Sequence, residues 1–431
     1  MKRYSFTAPL STGTALGIAN SARESARAAS LDQRMCVTTV SDVERFTAAA
    51  SPPRTIVHLI TSLDGDGAQR VLLRLAPQLQ KSGYRQIVVS MKQGGALAAE
   101  FRRRGIEIVE LDMSGFIRAL RGFAVLTRLL RQSRPAVVQA WMYHANLVAA
   151  LAWLAAGRTG KLMWNIRRAY YNTRDDQLKR STRWLVRAGA RLSTLPHTIV
   201  YCGETIAVQH RSAGFDPRNG VVIENGFDAL RFAPDPARRS ALRKSLHLPE
   251  HSLLVGNIAR FHGQKDHRTL LAAAEKVVSE IEHVYFLLIG RGVNSSNEWF
   301  VQNIPPAIRN RIILLGERDD VPDLIPGFDV FCSASTNEGF PNVVGEAMAC
   351  GVPCVVTDAG ASRDLVADTG AVVARGDPGS IAKALCELLK SSAEERSLLG
   401  SLARARVLSC YSMERCVLEY NHLYGQQARR G

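Results

Sequence analysis

The sequence predicts an α/β protein of two Rossmann-like, doubly wound domains that face each other across a cleft. Three observations carry this prediction. Short β-branched runs alternate with helical apolar stripes along most of the chain. The alternation stops at a polar stretch after residue 225 and then restarts. With 431 residues, the chain is long enough for two ordinary domains and too long for one core. Strand and helix in strict alternation make a parallel sheet covered on both faces.

Residues 1–53 stand apart from this pattern. They are rich in Ala, Ser, Thr and Arg and show weak periodicity. Their apolar run over residues 8–19 is broken by Ser, Thr and Gly, so a secretory signal fits only loosely. Their Arg- and Ser-rich, acid-poor composition also suits a transit peptide. The segment is read as a disordered tail, with Met35 as a candidate alternative start.

The first domain is expected over residues 54–225. TIVHLITSL reads as a strand that stops at a Gly-rich turn, Asp64 to Ala68. Val71, Leu72, Leu75 and Leu79 then share one helix face, and Gly83 follows the helix as its C-cap. QIVVSM, IEIVEL, PAVVQAW and HTIVYC read as further strands. Leu120 to Gln132 and a stretch from Ala145 read as helices. The second domain is expected over 226–405. SLLVGNIAR, VYFLLIG, RIILLG, FDVFCSA, PCVVTD and AVVA are its strands. His267 to Ser279, Val343 to Ala349 and Ile381 to Leu389 are its helices. Residues 406–431 are read as a helix returning to the first domain, amphipathic from Tyr411 to Tyr424. Ligands of such sheets bind at the carboxyl ends of the strands, here in the cleft.

Charge separates the two halves. Residues 1–225 hold 32 Lys and Arg against 15 Asp and Glu, whereas the remainder holds 23 against 24. A basic lobe beside a near-neutral one points to an anionic partner: nucleic acid, a membrane surface or a phosphate-bearing substrate. The cations are dispersed, with no stripe of stacking aromatics, which argues against nucleic acid. The longest apolar stretch, Leu147 to Ala156, is too short to span a bilayer. The eight cysteines form neither CxxC pairs nor a disulfide framework.

The strongest chemical signal is SASTNEGFPNVVGEAMACGVPCVVTD, Ser333 to Asp358. A strand ends, a loop carries Glu338, Gly339 permits close backbone approach, and Pro341 pre-sets a helix start. Free N–H groups on Phe340, Asn342 and Val343, either side of Pro341, favour an anion such as a diphosphate. Glu346 follows one helical stretch later. Carboxylates accept hydrogen bonds from paired hydroxyls, which sugars and riboses present. A second signal is GNIARFHGQKDH, where Arg260 and Lys265 could clamp two phosphates and stabilise a departing diphosphate without metal. Gly65, Gly67 and Gly290 sit at turns fit for close approach. His144 follows a strand at the inner edge of the first domain, and Arg167 and Arg168 follow another, where they could face an acceptor phosphate. Asp64-x-Asp66 imitates a metal-binding pair in the wrong setting, and no metal site is expected.

With these residues in place, the sequence resembles the family-4 retaining glycosyltransferases of the GT-B fold, over roughly Ile56 to Tyr424. Their hallmark is Glu-x7-Glu in an EGFPN-like context, matched by Glu338 and Glu346. The resemblance implies that Glu338 meets the donor sugar hydroxyls and that Glu346 binds the nucleotide ribose. It implies that Arg260 and Lys265 hold the diphosphate and that His144 contacts the sugar. It implies that residues 316–324 hold the base through backbone groups. Two departures stand out. The usual Gly-Gly-Ala-Glu is here Gly65-Asp66-Gly67-Ala68-Gln69, and Glu224 replaces the usual Pro before Asn225-Gly226. The implied reaction transfers a hexose from a nucleoside diphosphate sugar, with UDP favoured over GDP and no cofactor. The implied acceptor is a glycan or a polyprenyl-diphosphate-linked glycan, made at the cytoplasmic face of the inner membrane by a peripherally bound enzyme. The rival readings are a sugar-nucleotide epimerase of the same fold and a non-enzymatic binder of anionic polymers.

Overall fold

A computed structural model describes residues 54–65, 67–171 and 180–428. The tail 1–53 and Asp66 therefore lie outside the described residues. The apolar runs form two all-parallel sheets. The first contains β1 (Arg54–Ile60), β2 (Tyr84–Ser90), β3 (Glu107–Glu110), β4 (Val137–Trp141), β5 (Lys161–Ile166), β6 (Thr198–Tyr201) and β7 (Gly220–Val222), in the order 3-2-1-4-5-6-7. The second contains β8 (Leu253–Ile258), β9 (Val284–Ile289), β10 (Ile312–Gly316), β11 (Val330–Ser333), β12 (Cys354–Thr357) and β13 (Ala371–Val373), in the order 10-9-8-11-12-13. Strand order reverses between β1 and β4 and again between β8 and β11. The crevice beyond each reversal is where a doubly wound sheet binds ligand.

Helices cover both faces of each sheet. In the first lobe they are α1 (Gly67–Lys81), α2 (Ala98–Arg103), α3 (Phe116–Ser133), α4 (Met142–Ala155), α5 (Arg180–Leu192) and α6 (Glu204–Ser212). The second lobe has α7 (Pro236–Ser245), α8 (His267–Glu280), α9 (Glu298–Asn303), α10 (Val321–Leu324), α11 (Asn342–Ala349), α12 (Ser362–Val366), α13 (Pro378–Lys390) and α14 (Ala393–Cys410). The stripe of Val71, Leu72, Leu75 and Leu79 is buried as the periodicity requires. Leu147 to Ala156 falls largely within α4, which packs between α3 and α5.

Several segments are more regular than their sequence suggests. The polar stretch before Lys244 is helical in α7, because the Asp235 side chain caps it through the N–H groups of Ala237 and Arg238 and Pro236 opens it. Arg243, fully buried, then anchors α7 by donating to Asp329 (2.8 Å) and to the Gly327 carbonyl (3.0 Å). α3 starts at Phe116 rather than Leu120, since its first turn is helical although its apolar side chains face solvent.

The two lobes are joined twice, by parallel crossings. The Phe227 N–H donates to the Tyr411 carbonyl (2.8 Å), and the Met413 N–H donates to the Phe227 carbonyl (3.0 Å). A Cβ on Gly226 would lie 2.7 Å from the Met413 Cα, so only glycine lets the crossings touch. The last helix, α15 (Met413–Ala428), then lies on the first lobe. There Asn165 donates to the Tyr420 hydroxyl (2.8 Å), and the Tyr424 hydroxyl donates to Gln139.

Candidate active site

Both strand-order reversals open into one cleft of about 530 Å³. Ile60, Trp141 and Met142 line it from the ends of β1 and β4, and Ile258, Ala259 and Arg260 from the end of β8. Ten Lys and Arg line the cleft against five Asp and Glu, so it favours an anion.

The second lobe supplies the Glu338 and Glu346 wall. Glu338 lies in the loop after β11, where it accepts from the Ser335 hydroxyl (2.7 Å) and pairs with Lys265. Lys265 ends a single 3-10 turn, Gly263–Lys265, held between β8 and α8. Asp266 follows in the left-handed region (φ 46°) and caps α8 through the Thr269 N–H (3.2 Å). The turn thereby fixes Lys265 opposite Glu338, 73 residues away in sequence. Gly339 is where the two lobes touch backbone to backbone: a Cβ there would sit 2.2 Å from the Arg167 carbonyl oxygen. Gly290 has φ 151°, and a Cβ on it would lie 2.1 Å from the Ala259 carbonyl oxygen. Pro341, Asn342 and Val343 open α11 at the cleft wall. Glu346, one turn inside α11 and 4 % exposed, pairs with Arg74 of the first lobe.

The first lobe supplies mainly cations. Gly65, at φ 95°, turns the chain so that its carbonyl accepts from Arg70 Nε (2.9 Å). Arg70 and Arg74 lie four residues apart on α1, opposite its apolar stripe, and both line the cleft. Arg167 follows β5 and lies over the Trp141 ring at 5.1 Å. Its hydrogen-bond partners are neutral: Asn165 Oδ1 (2.9 Å), the Tyr420 hydroxyl (2.7 Å) and Asn225 Oδ1. Asn225 in turn donates to Asn342 Oδ1 (2.6 Å), so the residue before the first crossing ties both walls together. Met142 holds φ 72° at the cleft edge, a strained conformation for a non-glycine residue.

Glu338, Glu346, Arg260, Lys265, Gly65, Gly67, Gly290 and the run Gly339, Phe340, Pro341, Asn342, Val343 all line this cleft. Glu317, Arg318 and Asp319 line it too, from the segment set aside for the base. His144 is brought elsewhere. It stands exposed on the first turn of α4 and does not line the cleft. Desolvation of the part of its ring that is covered, together with the Lys92 charge, holds its pKa below the ordinary histidine value. Arg74 is the residue that the sequence reading missed. Its signal was the Arg70/Arg74 spacing directly after the Gly-rich turn.

Comparison with known proteins relates both lobes to glycosyltransferases. Residues 65–231 match the model described as Glycosyltransferase Family 4, and residues 252–391 the model described as Glycosyl transferases group 1. The chain is 31 % identical to the N-acetyl-alpha-D-glucosaminyl L-malate synthase of Bacillus anthracis over 186 residues, which are 42 % of this chain and 48 % of that protein. It is 23 % identical to an Escherichia coli UDP-Gal:alpha-D-GlcNAc-diphosphoundecaprenol alpha-1,3-galactosyltransferase over 312 residues, 72 % of this chain and 80 % of that one. It thus spans about half the length of the first relative and four-fifths of the second. The crystal structure of Anabaena Alr3699/HepE in complex with UDP has a similar fold, with a TM-score of 0.76 at 20 % identity over 86 % of this chain and 100 % of that one.

Proposed function

We propose a function on the premise that the chain belongs to the glycosyltransferases, with a family 4 and a group 1 domain forming the two lobes of a GT-B fold. It moves a hexose from a nucleoside diphosphate sugar, a UDP-sugar in preference to a GDP-sugar, to a hydroxyl of a glycan or lipid-diphosphate-linked glycan. It does so in cell-surface polysaccharide synthesis, at the cytoplasmic face of the membrane. The observation that carries this reading is the convergence of Glu338, Glu346, Arg260 and Lys265 on one cation-rich cleft between the lobes.

The roles proposed for the residues follow the family resemblance. Glu346 binds the ribose hydroxyls once Arg74 yields its carboxylate. Arg260 and Lys265 hold the diphosphate, and Glu338, freed from Lys265, accepts from the sugar hydroxyls. The acceptor oxygen attacks the anomeric carbon on the face from which the diphosphate leaves. The carbon–oxygen bond to phosphate breaks, the acceptor proton passes to the departing phosphate oxygen, and configuration is retained. The side chains position the substrates and stabilise the developing phosphate charge. Arg167, a cation with neutral partners on the acceptor lobe, suits the acceptor's phosphate. His144 meets substrate only if the first turn of α4 moves toward the cleft.

Incubating the full chain with UDP- and GDP-hexoses and a lipid-diphosphate glycan tests the proposal. The expected result is release of nucleoside diphosphate with a product of the donor's anomeric configuration. Absence of both transfer and donor hydrolysis with every donor would overturn it. Free epimer formed without acceptor would support the epimerase instead.

A further inference from the structure

One region of the first lobe is unused by the cleft and unlike the rest of the surface. Phe116, Ile117 and Leu120 on α3 are 79 %, 66 % and 55 % exposed, and Trp184 on α5 is 73 % exposed. Large apolar side chains exposed together mark an interaction surface. They also share one edge of the lobe. In a parallel sheet each helix must carry the chain back to the starting edge, so its N-terminus lies at the carboxyl edge of the strands. Phe116, Ile117 and Leu120 fall in the first two turns of α3, and Trp184 in the second turn of α5. Both therefore sit at the edge on which the cleft opens. α4 packs against α3 on one side and α5 on the other, and the exposed His144 lies on its first turn between them.

The polar residues around these side chains are of one sign. α3 holds four Arg and no Asp or Glu, and so does α5. Arg118, Arg121, Arg180 and Arg187 are exposed on these helices, and Lys92 is exposed in the loop after β2. Arg118 pairs with Asp112 (3.3 Å). Arginines in the first turn of a helix oppose its dipole, which favours acids there. The arrangement is thus unfavourable for the isolated lobe and favourable beside a negative surface.

From this geometry we propose that the carboxyl edge of the first lobe docks on an anionic lipid bilayer, with Phe116, Ile117, Leu120 and Trp184 entering the headgroup–acyl boundary. Apolar side chains interleaved with arginines match an interface that is apolar below and negative above. A second copy of the chain would set the same cations face to face. The inference rests on the proposed lipid-linked acceptor, because docking at this edge brings the cleft mouth to the membrane. It accounts for the first-lobe charge that the cleft does not use.

Flotation of the full chain with vesicles tests it. Binding is expected to vesicles of mixed phosphatidylcholine and phosphatidylglycerol, to weaken with salt, and to be absent with phosphatidylcholine alone. The variant F116S/I117S/L120S/W184S is expected to bind at least about tenfold more weakly. The variant R118Q/R121Q/R180Q/R187Q, which leaves the apolar residues in place, is expected to lose about as much. Both should keep the parent's transfer to a water-soluble acceptor, which reports an intact fold. Vesicle binding unchanged in both variants overturns the surface assignment. So does a parent that transfers sugar but never floats, and so does loss of self-association instead of vesicle binding. A parent that floats through this surface but transfers nothing would leave the surface standing and remove the transferase reading.

Discussion

The two lobes share a strand order but use it differently. The second lobe presents carboxylates at its ligand edge, Glu338 and Glu346, each buried or nearly so and each held by a cation. The first lobe presents arginines there, and one of them, Arg74, reaches across to take the Glu346 carboxylate. Glu338 finds its cation within its own lobe and Glu346 finds one in the other. The lesson is a division of labour. One lobe offers two carboxylates beside its own Arg260 and Lys265, and the other offers arginines both to the cleft and to its outer edge.

Breaking the carboxylate side should give the largest effect. Glu338→Gln keeps the volume and removes the charge, and is expected to lower the rate of transfer by about 10² to 10³-fold. Circular dichroism should be unchanged, and steady-state kinetics with saturating donor would show the loss in kcat. Lys265→Ala attacks the same pair from the other end. It is expected to cut transfer by about 10²-fold, with a loss of diphosphate affinity visible by calorimetry. Parental kcat in either variant would mean that the pair is only a lobe-stabilising contact.

Acid unfolding should separate the lobes. Burial holds His58 and His210 of the first lobe, and His267 of the second, at a pKa of about 4. Unfolded, each takes up a proton near pH 6.5. The folded state therefore has their contribution in full above pH 6.5 and loses it as the pH falls toward 4, by on the order of 3 kcal/mol for each histidine. The first lobe, with two such residues, is expected to open first. Four of the five tryptophans (Trp141, Trp153, Trp164 and Trp184) lie in it, and Trp299 alone in the second. Tryptophan fluorescence should then change at a higher pH than the far-ultraviolet signal completes. Coincident transitions would contradict this asymmetry.

Arg74→Ala sharpens the comparison at the cleft itself. If Arg74 occupies the carboxylate that the ribose needs, its removal should leave nucleotide affinity unchanged or raise it by a few fold, about 0.5 to 1 kcal/mol. A tenfold loss would instead make Arg74 part of the donor site. The smallest effect is expected at the crossing. Glu224 has its pKa raised above the ordinary glutamate value by burial, with Glu419 and Asp364 adding to it. A raised folded-state pKa gives stability that is complete below the unfolded value and is lost as the pH rises through the folded one. Glu224→Gln should therefore raise Tm by about 1 to 2 °C at neutral pH. It should bring no gain at pH 4, as calorimetry would show.

The sequence made the sheets legible because buried parallel strands leave nearly continuous apolar runs, such as LLVGNI and VYFLLI. It hid α5, whose Arg-rich surface buries only Val186 and Gly189, and it hid β7, which has three residues. It hid α7, whose burial depends on Arg243 pairing with Asp329, 86 residues on. The second-lobe wall was legible because Glu338, Gly339, Pro341 and Glu346 lie in one short string. The first-lobe wall was legible only in part. Arg167 and Arg168 stand out after a strand, but Arg74 does not, because its partner Glu346 lies 272 residues on in the other lobe. His144 was placed by its position after a strand, which fixes the edge it occupies but not the direction its side chain takes.

On the proposed function, the second lobe grips a nucleotide through Glu346. Thermal unfolding of the parent and of Glu346→Ala, each with UDP, GDP, ADP and their hexose conjugates, tests it directly. A ligand that binds only the folded state raises Tm by mass action. A rise is expected with the uridine series in the parent and none in the variant. An equal rise in both, or no rise with any nucleotide, would contradict it.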